Sequence, residues 1–153
     1  MDIRDTTSAP DSESVLTHTA FFAGLSAQQR QRIAGVSRIQ DYPQGRQIYG
    51  LAEPAADFYV LIDGMVRFTI GLGNRQTHGG QVLRRGEVFG WAALVKNARK
   101  RIATAQAITP CNILAINGEQ LLFLMDHDHT LGYCIMSRLN ELITGNLTAF
   151  ASG

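Results

Sequence analysis

The chain has 153 residues, a formal net charge of +1 and 45% hydrophobic residues. Those values suit one domain with its own core, and exclude a disordered chain or one drawn by overall charge to nucleic acid or membrane. No apolar run approaches the roughly 20 residues of a membrane span, and two distant cysteines, Cys111 and Cys134, make neither a disulfide framework nor a zinc site.

Residues 1–14, "MDIRDTTSAPDSES", are polar and lack the apolar core of a signal peptide. They read as a disordered head before a domain at 15–153, and the missing export signal predicts a cytoplasmic protein. Helical patterning runs over 15–36, with Phe21, Phe22 and Leu25 as an apolar knot. Ser26 with Gln29 three residues on has the form of a capping box. Over 37–117 the period shortens. "FYVLI" (58–62), Asp63-Gly64 and "MVRFTI" predict a β-hairpin across the Asp-Gly turn. "LGNRQTHGG" reads as a polar turn, and "QVLRR", "ATAQAI" and "CNILAI" as further strands. Short strands at regular turn spacing predict a mainly β sandwich, jelly roll or barrel.

The last part, 118–150, is helical. Asn117 with Gln120 forms a second capping pattern, and "DHDH" (126–129) breaks the run. Leu131, Ile135, Leu139, Leu142, Asn146 and Ala149 then recur at helical spacing, beside a second stripe of Met136, Ile143, Leu147 and Phe150. That predicts one helix of about 20 residues, able to face its own domain and a partner helix.

The chemistry concentrates in "GEVFGWAALVKNARKRIATAQA" (86–107). Gly90 permits an unusual backbone geometry. The amides of Trp91 and Ala92 open a short helical turn that suits an anion. The planar guanidinium of Arg101 can close a phosphate clamp. The plain alternative is a surface excursion in which Lys96, Arg99, Lys100 and Arg101 are solvated.

With its neighbours, this segment resembles a cyclic nucleotide-binding domain, of the sort found as the sensor half of Crp/Fnr-type regulators. The likeness runs from about Phe21 to Phe150. "YPQGRQIYGLAEPAADFYVLIDGMVRF" is similar to the family signature through Gly45, Ile48, Tyr59, Val60, Gly64 and Val66, and 86–104 resembles its phosphate cassette. The resemblance implies a jelly roll (double-stranded β-helix) with N-terminal helices and a long C-terminal helix. It implies a ligand set of Phe89, Gly90, Trp91, Ala92, Arg101, Ile102 and Ala103. The implied ligand is a small phosphate-bearing molecule, cyclic AMP or cyclic GMP first. It also implies pairing of two subunits through the helix Leu131–Phe150, and a downstream protein partner.

Two departures stand out. The family glutamate that accepts a hydrogen bond from the ribose 2′-hydroxyl is Trp91 here, and an indole has a donor but no comparable acceptor. The glycine expected in "GLAEP" is Ala52. Trp91 either stacks on a ligand ring or fills the pocket. No helix-turn-helix follows, so a stand-alone sensor without direct DNA readout is expected. The alternative is a ligand-free, degenerate domain acting as a dimeric protein-interaction module. No catalytic residue is expected, because Ser26 and Ser37 lack a nucleophile-elbow context and no histidine sits in a triad pattern. No metal is expected at "DHDH", where Asp128 reads as a helix N-cap.

Overall fold

A computed structural model describes residues 11–72, 75–78, 82–96, 100–145 and 147–153. Helix α1 (Ser12–Thr17) starts inside the stretch expected to be a disordered head, because the Asp11 carboxylate caps the Ser14 amide at 2.8 Å. A 3-10 turn (Ala20–Phe22) leads to α2 (Ala27–Ala34), which opens on the reciprocal Ser26–Gln29 capping box. Among the described residues nine strands follow: β1 (Ser37–Tyr42), β2 (Gln47–Tyr49), β3 (Asp57–Asp63), β4 (Met65–Leu72), β5 (Arg75–His78), β6 (Leu83–Arg84), β7 (Val88–Phe89), β8 (Thr104–Ala107) and β9 (Cys111–Asn117). A second 3-10 turn (Trp91–Leu94) sits between β7 and β8. Helices α3 (Gly118–His127), α4 (His129–Ile143) and α5 (Leu147–Ala151) close the chain.

The strands form two antiparallel sheets, β1-β9-β3-β7 and β2-β8-β4-β5 with β6 added to β4. This is the expected jelly roll. Strand β3 explains how it is held. Phe58 and Val60 face the helices, while Tyr59 and Leu61 face the second sheet, so both faces are buried. Strand β9 repeats the pattern, with Leu114 and Ile116 on the helix side and Ile113 and Ala115 between the sheets.

The double burial corrects the hairpin expectation. Strand β3 already has β9 on one edge and β7 on the other, leaving none for β4. At Gly64 (φ +104°) the chain crosses to the other sheet, packed so closely on Pro110 and Cys111 that a Cβ would lie 2.5 Å from the Pro110 carbonyl oxygen. The hairpin is instead β4–β5, with Leu72 opposite Arg75 and Thr69 opposite His78. Part of "LGNRQTHGG" is therefore strand rather than turn.

The helical region also differs in one respect. Asp128 does cap α4, accepting from the Leu131 amide at 3.1 Å, and Leu131, Ile135 and Leu139 are buried as one stripe. The helix ends at Ile143, however, and the chain turns at Thr144 and Gly145 before α5. The stripe expected to continue to Phe150 is broken, and α5 turns back onto the β-roll. Cys111 is buried and Cys134 half-buried, both as free thiols.

Candidate functional site

The site lies where β7 ends, the Trp91–Leu94 turn begins and β8 is about to start. Gly90 holds φ +80° as the N-cap of that turn. A Cβ there would meet the Tyr59 ring at 2.7 Å, the Asp57 carbonyl oxygen at 3.0 Å and Arg101 Nη1 at 3.1 Å, so only glycine fits.

Arg101 is buried at 4% exposure, which overturns the reading of the basic run as a solvated face for this residue. Two backbone bonds hold its strand-like segment to the turn after β2: Ala52 N–H to the Arg101 carbonyl at 3.0 Å and Arg101 N–H to the Glu53 carbonyl at 2.9 Å. The guanidinium then reaches inward. Its Nη1 donates to the Gly90 carbonyl at 2.9 Å and to the Gly153 backbone oxygen at 3.0 Å, and its Nη2 donates to the Asp57 carbonyl at 2.7 Å. Among the described residues its Nε is buried without a partner. The group lies 4.1 Å above the Tyr49 ring and 5.6 Å from the Tyr59 ring. Among the described residues no carboxylate side chain pairs with it; the Asp57 carboxylate is bound to Arg38 at 2.8 Å. A buried cation without an acidic side chain is costly unless something else supplies the negative charge.

The two tyrosines report the dryness of this cage. Burial pushes the Tyr59 phenol up to about 12 and raises the Tyr49 phenol as well, in both cases against the opposing pull of the Arg101 charge. Both rings are neutral at neutral pH. Tyr59 stacks on Phe89 with centroids 4.8 Å apart, and the rigid pair backs the cassette.

The expected residues converge. Phe89 and Ala103 are fully buried behind the seat, Gly90, Trp91 and Ala92 form one wall, and Arg101 with half-buried Ile102 forms the other. Trp91 neither projects as a free platform nor fills the seat with its ring. Its indole N–H donates to the Ala149 carbonyl at 2.9 Å, and the ring packs near Phe150. What fills the seat is the end of the described chain. The Ser152 carbonyl accepts from Gly90 N–H at 2.5 Å and from the Tyr49 hydroxyl at 3.2 Å, and the Gly153 oxygen accepts from Arg101 and, at 3.4 Å, from Ala92 N–H.

The family model for the cyclic nucleotide-binding domain matches residues 39–128. The chain belongs to this family. A cyclic nucleotide-binding domain takes small cyclic nucleotides as ligands and is a regulatory rather than a catalytic module. Among curated proteins the domain is 26% identical over 99 residues to the cAMP-dependent protein kinase regulatory subunit of Mycosarcoma maydis, covering 62% of this chain and 18% of that protein. The chain thus spans under a fifth of that relative's length. Two solved structures share the fold. One is a protein of Geobacter metallireducens GS-15 named for cyclic nucleotide binding (23% identity, 91% of this chain and 99% of that one, TM-score 0.77). The other is the regulatory domain of Toxoplasma gondii PKA crystallised with cAMP (21% identity, 85% of this chain and 49% of that one, TM-score 0.72).

Sequence reasoning missed three contributors: Tyr49, the main-chain carbonyl of Asp57, and the segment from Ala149 to Gly153. A carbonyl acceptor leaves no trace in residue type. Tyr49 carried only a strand signal. Ala52 did leave one: a glycine is expected there, and Ala52 holds φ +66°, alone in that region among the described non-glycine residues.

Proposed function

We propose that this domain is a non-enzymatic sensor that binds a cyclic nucleotide, cyclic AMP or cyclic GMP, by its phosphate. The Arg101 guanidinium and the amides of Gly90 and Ala92 would hold the phosphate, with Phe89, Trp91, Ile102 and Ala103 enclosing it. One observation carries this reading: a buried guanidinium that, among the described residues, has an unpaired Nε and no acidic side chain against it. A singly charged phosphodiester supplies the missing charge and an acceptor for the free N–H.

Binding at this seat bears on the C-terminal helices, because the Trp91–Leu94 turn packs in the same core as α3 and α4. A ligand that prefers one arrangement of turn and helices shifts the population toward it. The output surface is α4, where Tyr133 is 78% exposed and Met136 is exposed beside the buried stripe. Pairing of two copies would therefore use α4 alone rather than a helix running to Phe150, and a downstream protein would read that face.

The test is calorimetric titration of the full chain with cyclic AMP and cyclic GMP. Saturable heat with either, lost in Arg101→Met, supports the sensor; silence with both returns the domain to the ligand-free interaction module. A second arm uses the 2′-deoxy form of cyclic AMP. The Trp91 indole spends its one N–H on Ala149 and offers no acceptor to a ribose hydroxyl. Removing that hydroxyl should change affinity by less than about threefold, against the tenfold or more expected from losing a charged hydrogen bond.

A further inference from the structure

We infer that residues 147–153 are a built-in peptide ligand of the phosphate seat, competing with the nucleotide for the same donors. The inference rests on the proposed phosphate site. The terminal segment makes no generic surface contact. Ala151 and Ser152 are fully buried and Gly153 is buried. Three of its oxygens take five donors of the cassette region: Ala149 from the Trp91 indole, Ser152 from Gly90 N–H and the Tyr49 hydroxyl, and Gly153 from Arg101 and Ala92 N–H. Gly90 N–H, Ala92 N–H and Arg101 are the donors assigned to phosphate above. An oxygen of the segment and an oxygen of a phosphate cannot occupy one place, so the two occupants exclude each other.

The fit is particular to this segment. A Cβ on Gly153 would lie 2.7 Å from two atoms of the Trp91 indole and 2.9 Å from Ile102 Cδ1, so a residue without a side chain is needed at that point. Ala151 is packed in the core between the sheets, where nothing much larger fits. The substitution of the family glutamate by Trp91 also finds a use here, because the indole donor goes to the peptide rather than to a ribose. The ligand class is thus a small-residue peptide backbone, Ala-Ser-Gly, supplied in cis from beyond the turn at Thr144 and Gly145. The occupied state leaves Arg101 Nε unpaired, which is what lets a phosphodiester displace it.

Two measurements decide the matter. The first is hydrogen–deuterium exchange of the unaltered chain with and without saturating cyclic AMP. A competing segment exchanges faster over 147–153 when nucleotide binds; a closing lid exchanges more slowly, and that result would overturn the inference. The second uses two variants that expel the segment by different physics, Gly153→Val by sterics and Ala151→Lys by a charge placed in the apolar core between the sheets. Each should bind cyclic AMP at least about tenfold more tightly than the parent. Equal or weaker binding by variants whose 147–153 segment exchanges freely overturns the competitor while leaving the sensor standing. Binding by none of the three proteins removes the phosphate site itself, and the competitor falls with it.

Discussion

Two arginines approach Asp57 from opposite sides and are held in opposite ways. On the open flank of β1, Arg38 grips the Asp57 carboxylate at 2.8 Å with its side chain about half exposed (49%). The carboxylate hydrogen bond, more than the accompanying charge attraction, holds its guanidinium above the ordinary value. On the inner side, Arg101 donates to the Asp57 carbonyl and to the Gly90 and Gly153 main-chain oxygens, with two tyrosine rings near it and no acidic side chain among the described residues. The same residue type is a two-bond ion pair with a buried carboxylate in one place and a buried guanidinium held by main-chain oxygens in the other. The first carries its counter-charge on a side chain, whereas the second has no acidic side chain against it among the described residues.

Exchanging each arginine for methionine gives the largest separation. Arg101→Met should weaken cyclic AMP binding by at least about 100-fold, from the loss of two charge-assisted hydrogen bonds. Arg38→Met should leave it within about twofold. Equal losses would mean that Arg101 acts through the fold and not on the ligand.

An alkaline titration asks whether the inner cage is as dry as its geometry implies. The Tyr59 phenol has a folded value of about 12 against an ordinary 10.0. Its raised value means that stability is fully present below about pH 10 and is lost as pH rises toward 12, because only the unfolded chain ionises easily there. The loss should be on the order of 2–3 kcal/mol at pH 12, with Tyr49 acting in the same direction. Denaturant melts between pH 9 and 12 would show it, and Tyr59→Phe should remove part of it.

Smaller effects lie in the supports. Ala52→Gly relieves a left-handed backbone at the turn that holds the Arg101 main chain, and should raise stability by about 0.5–1 kcal/mol in chemical denaturation. A double-mutant cycle on Arg38 and Asp57, with Arg38→Met and Asp57→Asn, should return a coupling of about 1 kcal/mol, because two hydrogen bonds to a buried carboxylate offset the solvent screening on the half-exposed Arg38 side. A coupling well above that would erase the contrast between the two sides.

Much of this was legible along the chain. The caps at Ser26, Asn117 and Asp128 were readable because a short polar side chain three residues ahead of its target amide is a local event. Gly90, Ala92 and Arg101 were readable through a resemblance carried by an ordered set of residues. The Asp63-Gly64 hairpin was misread because turn chemistry is local whereas edge availability is not: β9 had already taken the strand's free side. The long helix was misread because its apolar period continues through Thr144 and Gly145, where the chain turns.

The sequence by itself determined the alternation that makes two sheets and the helix starts, since each depends on neighbours within a few positions. Only the tertiary structure decided that Arg101 is buried with no acidic side chain against it among the described residues, and that residues 149–153 lie against it. Those facts join positions about 50 apart through main-chain oxygens. Every residue carries such an oxygen, so no residue type marks which of them will be used.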